Sequence, residues 1–271
     1  MAEMKSLSIK SQYLTTMTKG EIKELLEEKY LEYCQPEFIE SDPIQIPHMF
    51  SAKQDIEISG LFSATIAWGQ RPTIIKNANS IMSRMGNEPY RFVTEHSAKD
   101  LKALDGFVHR TFNSDDLKQF VLSLKSLYTK HASLEDVFLQ GIRNSDSNLG
   151  NSISHFKTEF FSIPYQKRTQ KHVSDPLKGS AAKRIIMYLR WMVRSNDRNV
   201  DFGIWNRIPT SILSCPLDVH SGRNARDLGL LSRTQNDWKA VEELDISLRK
   251  FDPIDPAKYD FALFGMGVFT N

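Results

Sequence analysis

The chain has 271 residues, 40% of them apolar and 25% charged, with a net charge of +2. That composition excludes a disordered or polyanionic protein and leaves room for a sizeable core. Two cysteines, Cys34 and Cys215, cannot build a disulfide framework or supply the thiolates of an iron–sulfur cluster or structural zinc site, which points to a reducing compartment.

Residues 1–19 lack an apolar core of signal-peptide length, and no later run approaches a membrane span. A cytoplasmic protein without membrane contact is expected. The elements that follow are helical. Lys19–Cys34 spaces Ile22, Leu25, Leu26, Leu31 and Tyr33 as a helix after a Thr18 start signal. Glu37–Phe50 carries prolines and reads as an extended connector. Gln54–Trp68 is apolar on most sides, as in the buried centre of an α domain. Arg71–Met85 is amphipathic. Ser114–His131 repeats the pattern, with Ser114 or Asp115 as cap. Shorter helices are predicted at Ser133–Ile142 and Leu149–Phe161.

Ile163–Lys178 is polar, basic and irregular. A helix is predicted over Ser180–Arg194, then a loop from Asp197 to Leu213. Helices resume at Asp218–Leu228, which Gly229 ends, at Thr234–Phe251, and from about Pro256. Pro216 and Asp218 mark a helix start, and Asp218 is its expected cap. No β alternation or repeat is present, so the predicted class is all-α.

Charge is unevenly distributed. From Gln166 to Arg198, nine Lys/Arg stand against Asp175 and Asp197, so 33 residues carry +7 and the rest of the chain −5. Within Ser180–Arg194, Ile185, Ile186, Leu189, Met192 and Val193 form an apolar stripe. Lys183, Met187, Arg190 and Arg194 form a second stripe, suited either to solvent or to a phosphate backbone. Lys178, Gly179 and Ser180 precede the first turn, where unpaired N–H groups bind phosphate. Lys183 meets an unfavourable helix dipole and has Arg184 beside it. Those conditions favour either a simple exposed cation or a neutral amine able to act as a nucleophile.

Gly179–Arg194 resembles the second half of the helix-hairpin-helix of base-excision DNA glycosylases. Their hairpin runs Leu-Pro-Gly-Val-Gly, one residue, then Lys-x-Ala. Downstream, Leu217-Asp218-Val219-His220 with Arg223 and Leu228-Gly229-Leu230 is similar to their Val-Asp-x-His-x-x-Arg stretch. Leu61-Phe62-Ser63-Ala64 and Phe261–Gly267 resemble two further segments of that fold, in the same order, over roughly residues 50–271. The Lys183–Asp218 spacing is closest to that of the archaeal 8-oxoguanine glycosylases. More narrowly, Lys183–Arg194 with Pro216–Arg226 resembles an uncharacterised bacterial family of unknown function. The hairpin's second glycine is missing here, and Gly179 stands alone.

The resemblance implies an all-α, two-lobed helix-hairpin-helix glycosylase-like fold. One lobe spans 52–197, and the other combines 1–51 with 198–271. It implies removal of a damaged base, with 8-oxoguanine a candidate, by Lys183 as nucleophile and Asp218 as its carboxylate partner. AP lyase activity follows if the covalent intermediate undergoes β-elimination. Lys178, Gly179, Ser180, Arg184, Arg190, Arg194, His220 and Arg223 would contact nucleic acid. Trp68, Gln70, Trp191 and Trp205 are candidate walls for the extruded base, the tryptophans fitting a core equally well. Damaged DNA is the implied partner, RNA is left open, and no cofactor or metal is required. Two other readings remain: a non-catalytic nucleic-acid binding module on the same fold, and a metal-dependent hydrolase using Asp218, His220 and His172. Lys183 and Asp218 side chains more than about 8 Å apart, beyond the ~4–6 Å over which charges tune one another, would count heavily against catalysis by the pair.

Overall fold

The computed structural model describes residues 17–268. Residues 1–16, most of the stretch read above for a signal sequence, and residues 269–271 lie outside that range. The described chain is all-α apart from one short hairpin. Among the described residues, no helix is long and apolar enough to cross a membrane.

α1 (Lys19–Tyr33) opens on a capping box between Thr18 and Glu21, which satisfies two N–H groups at once. The proline-bearing connector is not extended. Pro36 stands at the start of α2 (Glu37–Glu40), and Pro43 and Pro47 begin 3-10 turns at Pro43–Gln45 and Pro47–Met49. A fixed φ suits a first helical turn, where the missing N–H has no partner to lose.

α3 (Lys53–Thr65) is the central helix, buried without a break from Ile56 to Thr65. It packs on α4 (Arg71–Arg84), α5 (Pro89–Glu95) and α9 (Lys183–Val193). Glycine at position 60 permits the approach of α9, since a Cβ there would stand 3.0 Å from Met192 Cε. Glu57 is wholly buried in α3 and fully partnered. It accepts from Tyr128 Oη at 2.7 Å, Trp205 Nε1 at 2.7 Å, the Leu134 N–H at 3.1 Å and the Ser133 hydroxyl. A buried carboxylate is tolerated on those terms, and this one ties three later segments to the central helix.

β1 (Val108–His109) and β2 (Phe112–Asn113) form the antiparallel hairpin. It leads into α6 (Ser114–Lys130), whose cap is Asn113, one residue earlier than expected, boxed with Asp116. α7 (Leu134–Gln140) and α8 (Gly150–Phe160) follow, with Phe138 stacked on Phe156 at 4.4 Å. The basic loop is docked rather than loose. Asp116, fully buried, accepts from Arg168 at 2.8 Å and Thr169 at 2.7 Å.

α10 (Val219–Asp227), α11 (Trp238–Arg249) and α12 (Tyr259–Val268) complete the chain. Gly229 ends α10 at φ +66°, as its position predicts. α12 lies against both α1 and α10. A Cβ on Gly265 would fall 2.1 Å from the Tyr33 ring, so glycine is needed at that point of the α12–α1 contact.

Two expectations about α9 fail here. Arg190 and Arg194 do not face outward; they are 3% and 4% exposed. Arg194 pairs with Asp201 at 2.7 Å and Asp255 at 2.8 Å, while Arg190 pairs with Asp201 at 3.3 Å and with Asp260. Two cations set among three carboxylates can be buried where a lone cation cannot. Trp191 and Trp205 are wholly buried core residues, so neither walls a pocket open to a base.

Candidate active site

The second glycine of the resembled hairpin is replaced by Ala181, and the chain turns by other means. Asp175 caps a 3-10 turn at Pro176–Lys178, and Gly179 follows at φ +86°. α9 begins at Lys183 rather than at Ser180, and its cap position is Ala182 at φ +49°. A left-handed alanine costs about 1–3 kcal/mol, so surrounding contacts must hold it. Ser180 pairs with Asp237 as an isolated bridge, its hydroxyl accepts from the Ala182 N–H at 3.2 Å, and the Trp238 N–H donates to the Gly179 carbonyl at 3.1 Å. The same segment holds the other half of the site: Asn236 Nδ2 donates to the Asp218 carbonyl at 2.8 Å.

These anchors bring Lys183 and Asp218 together, with Nζ donating to Oδ2 at 2.7 Å. The two carboxylate oxygens divide their roles. Oδ1 caps α10, accepting from the N–H groups of His220 at 2.8 Å and Ser221 at 2.9 Å. Oδ2 is left for the lysine. Burial pushes the Asp218 pKa up, but the Lys183 charge, its hydrogen bond and those from Ser221 outweigh burial and hold it below the usual carboxylate range. The acid is therefore ionised at neutral pH.

The pair opens on a cavity of about 910 Å³. Phe264 forms part of its wall, with Lys183 Nζ 5.8 Å and the Arg71 guanidinium 5.1 Å from the ring centre. Trp68 forms another part, covered by the Arg184 guanidinium at 4.6 Å. Arg184 donates to the Thr65 carbonyl and has no carboxylate in ion-pair range among the described residues; burial pushes its pKa down to about 10. The wall also includes Asp42 and Asp260. Burial pushes Asp260 up to about 6, partly offset by Arg190.

Of the residues singled out in the sequence, Trp68, Gly179, Ser180, Lys183, Arg184, Arg190, Asp218 and His220 line this cavity. Arg190 does so with its guanidinium committed to Asp201 and Asp260. Lys178 and Arg223 are exposed and outside the lining, as is Gln70. His172 lies instead against Asp116, with Nε2 at 3.4 Å, and burial pushes its pKa down to about 4. No group of three or more His, Cys, Asp or Glu among the described residues is arranged to hold a metal ion. Asp42, Arg71, Asn236, Asp260 and Phe264 escaped the sequence reading. Asp42, Asn236 and Phe264 carried a signal: an Asp-Pro helix start, a place near the start of the Thr234–Phe251 helix, and a place in the Phe261–Gly267 segment.

No curated protein and no solved structure matches the chain significantly. The match found is to a family described as "Protein of unknown function (DUF2400)" and runs over residues 42–269. That range takes in every wall of the cavity except Phe38, and the chain belongs to this family.

Proposed function

We propose that the cavity is the active site of a base-excision DNA glycosylase of the helix-hairpin-helix type, lying between the two lobes expected from the sequence. The observation that carries the reading is the 2.7 Å contact of Lys183 with Asp218, beside a cavity of about 910 Å³. The damaged nucleotide leaves the stack and its base enters the cavity. The Lys183 amine forms a bond to C1′ as the N-glycosidic bond breaks. The bonding pair departs with the base, and the proton shed by the amine balances the one the leaving nitrogen requires. Positive charge builds on the sugar, and the fixed carboxylate of Asp218 stabilises it. The C1′–O4′ bond then opens, O4′ taking the second proton given up by the original ammonium, and the covalent product is an open-chain iminium, which splits one difficult step into two. Loss of the C2′ proton from it breaks the C3′–O bond and nicks the strand.

The test is borohydride trapping on duplexes carrying 8-oxoguanine, an abasic site and a panel of other lesions. A covalent adduct is expected with the native protein and none with Lys183→Ala. Absence of both adduct and base release across the panel overturns the enzyme reading. An adduct that survives in Lys183→Ala overturns the nucleophile.

One observation favours a second reading, a binding module without catalysis: Ala181 stands where the resembled hairpins have glycine. Duplex binding without trapping is the outcome that selects it.

A further inference from the structure

Asp42 repeats the arrangement of Asp218 on the same cavity, with one difference. Each aspartate uses Oδ1 to cap a helical turn; Asp42 accepts from the Ile44 N–H at 3.0 Å. Asp218 gives its other oxygen to Lys183. The other oxygen of Asp42 has no hydrogen-bond or ion-pair partner among the described residues, although the side chain is only 7% exposed and lines the cavity. The cap explains why an acid stands before Pro43. It does not explain a second oxygen left without a donor. That oxygen is not sealed in the interior; it faces the cavity, where it can accept from a donor on a ligand. Burial pushes the Asp42 pKa up, offset in part by the Ile44 N–H and by the charges of Arg190, Arg71 and Lys183; two donors brought by a ligand would favour the ionised, acceptor-only form further.

We infer that Asp42 is the specificity-determining residue of the cavity, accepting hydrogen bonds from a ring edge with two adjacent N–H donors, the Watson–Crick edge of a guanine-class base. This rests on reading the cavity as a base pocket. The chemistry of the ring edges selects the class. Guanine offers N1–H beside its exocyclic amine. Adenine and cytosine offer an amine beside a bare ring nitrogen, which a carboxylate repels. Uracil and thymine offer one N–H between two carbonyl oxygens, which it repels twice. Hypoxanthine keeps N1–H and lacks the amine, so it should rank between guanine and adenine. Oδ1 retains a second lone pair beside its capping bond, so both donors of guanine can be met.

The experiment is calorimetric binding of deoxyguanosine, deoxyinosine and deoxyadenosine to the full chain, with Asp42→Asn and Asp42→Ser as variants. Both replacements can still cap the turn, and their unfolding midpoints check the fold. The native protein is expected to favour deoxyguanosine over deoxyadenosine by about ten- to a hundred-fold, the usual discrimination of a paired base edge. Asp42→Asn, whose amide can turn an N–H toward an acceptor, should erase or reverse that ratio, and Asp42→Ser should reduce it. An unchanged ratio in a folded variant overturns the inference, as does a native protein that prefers deoxyadenosine or binds no nucleoside. Lys183 plays no part in this measurement. A protein that traps abasic DNA but does not discriminate nucleosides sinks the role of Asp42 alone. One that discriminates through Asp42 but never traps sinks the glycosylase chemistry alone.

Discussion

At the start of α9, the ammonium of Lys183 meets a single carboxylate and an open cavity. Two turns on, Arg190 and Arg194 meet three carboxylates, from Asp201, Asp255 and Asp260, in the interior. The lysine side chain is 32% exposed and those of the arginines 4% and 5%. All three fall on one helical stripe of the sequence, although Arg194 stands at the C-cap, just past the last turn of α9. What separates a cation open to a cavity from one that holds the fold is the number of acids supplied to it and the space left beside it. Sequence periodicity reports neither.

The interior end should give the largest effect. Asp201→Ala removes the carboxylate shared by both arginines, leaving each with one acid and with buried N–H groups that have lost their acceptor. A loss of about 3–5 kcal/mol is expected, read from the urea midpoint. A loss below about 1 kcal/mol, the range of exposed pairs, would show that the network does not hold the fold. At the cavity end the effect should move from stability to rate. Asp218→Asn keeps an oxygen to cap His220 and Ser221, so the unfolding midpoint should barely change. It removes the fixed negative charge, and formation of the trapped adduct should slow by about 10²–10³-fold, as when a preorganised stabilising group is lost. An unaltered trapping rate would assign Asp218 to capping alone.

The smallest effect concerns the pair's own stability. The folded-state pKa of Asp218 is depressed. Its contribution is therefore present above the unfolded carboxylate pKa of about 3.9 and is lost as pH falls through the lower folded value. Native protein and Lys183→Gln should differ by about 1 kcal/mol or less at pH 7, and the difference should shrink on acidification. A gap that widens toward pH 3 would mean that the pair is not an ion pair in the fold.

Local rules made much of this legible. Thr18, Asp218 and Gly229 mark helix boundaries where capping chemistry places them. The approach of Lys183 to Asp218 followed from motif order, since neither residue reveals its partner across 35 positions. What stayed hidden depends on distant partners. Arg190 and Arg194 are interior because Asp255 and Asp260 lie 61 and 70 positions further on. Trp191 and Trp205 could not be sorted between core and cavity until the central helix was in place. The prolines after α1 read as extended because their fixed φ serves a first helical turn as well as an open strand. Asp42 was hidden for a subtler reason. Its cap is visible in the Asp-Pro pair, but its unfilled oxygen exists only once the cavity does.

The short segment Asn236–Trp238 touches both halves of the site, through the carbonyls of Gly179 and Asp218 and the bridge at Ser180. Lys183 and Asp218 thus hang from a common support. The geometry of the pair is set by a third party: whatever moves this segment is expected to move the supports of amine and carboxylate together.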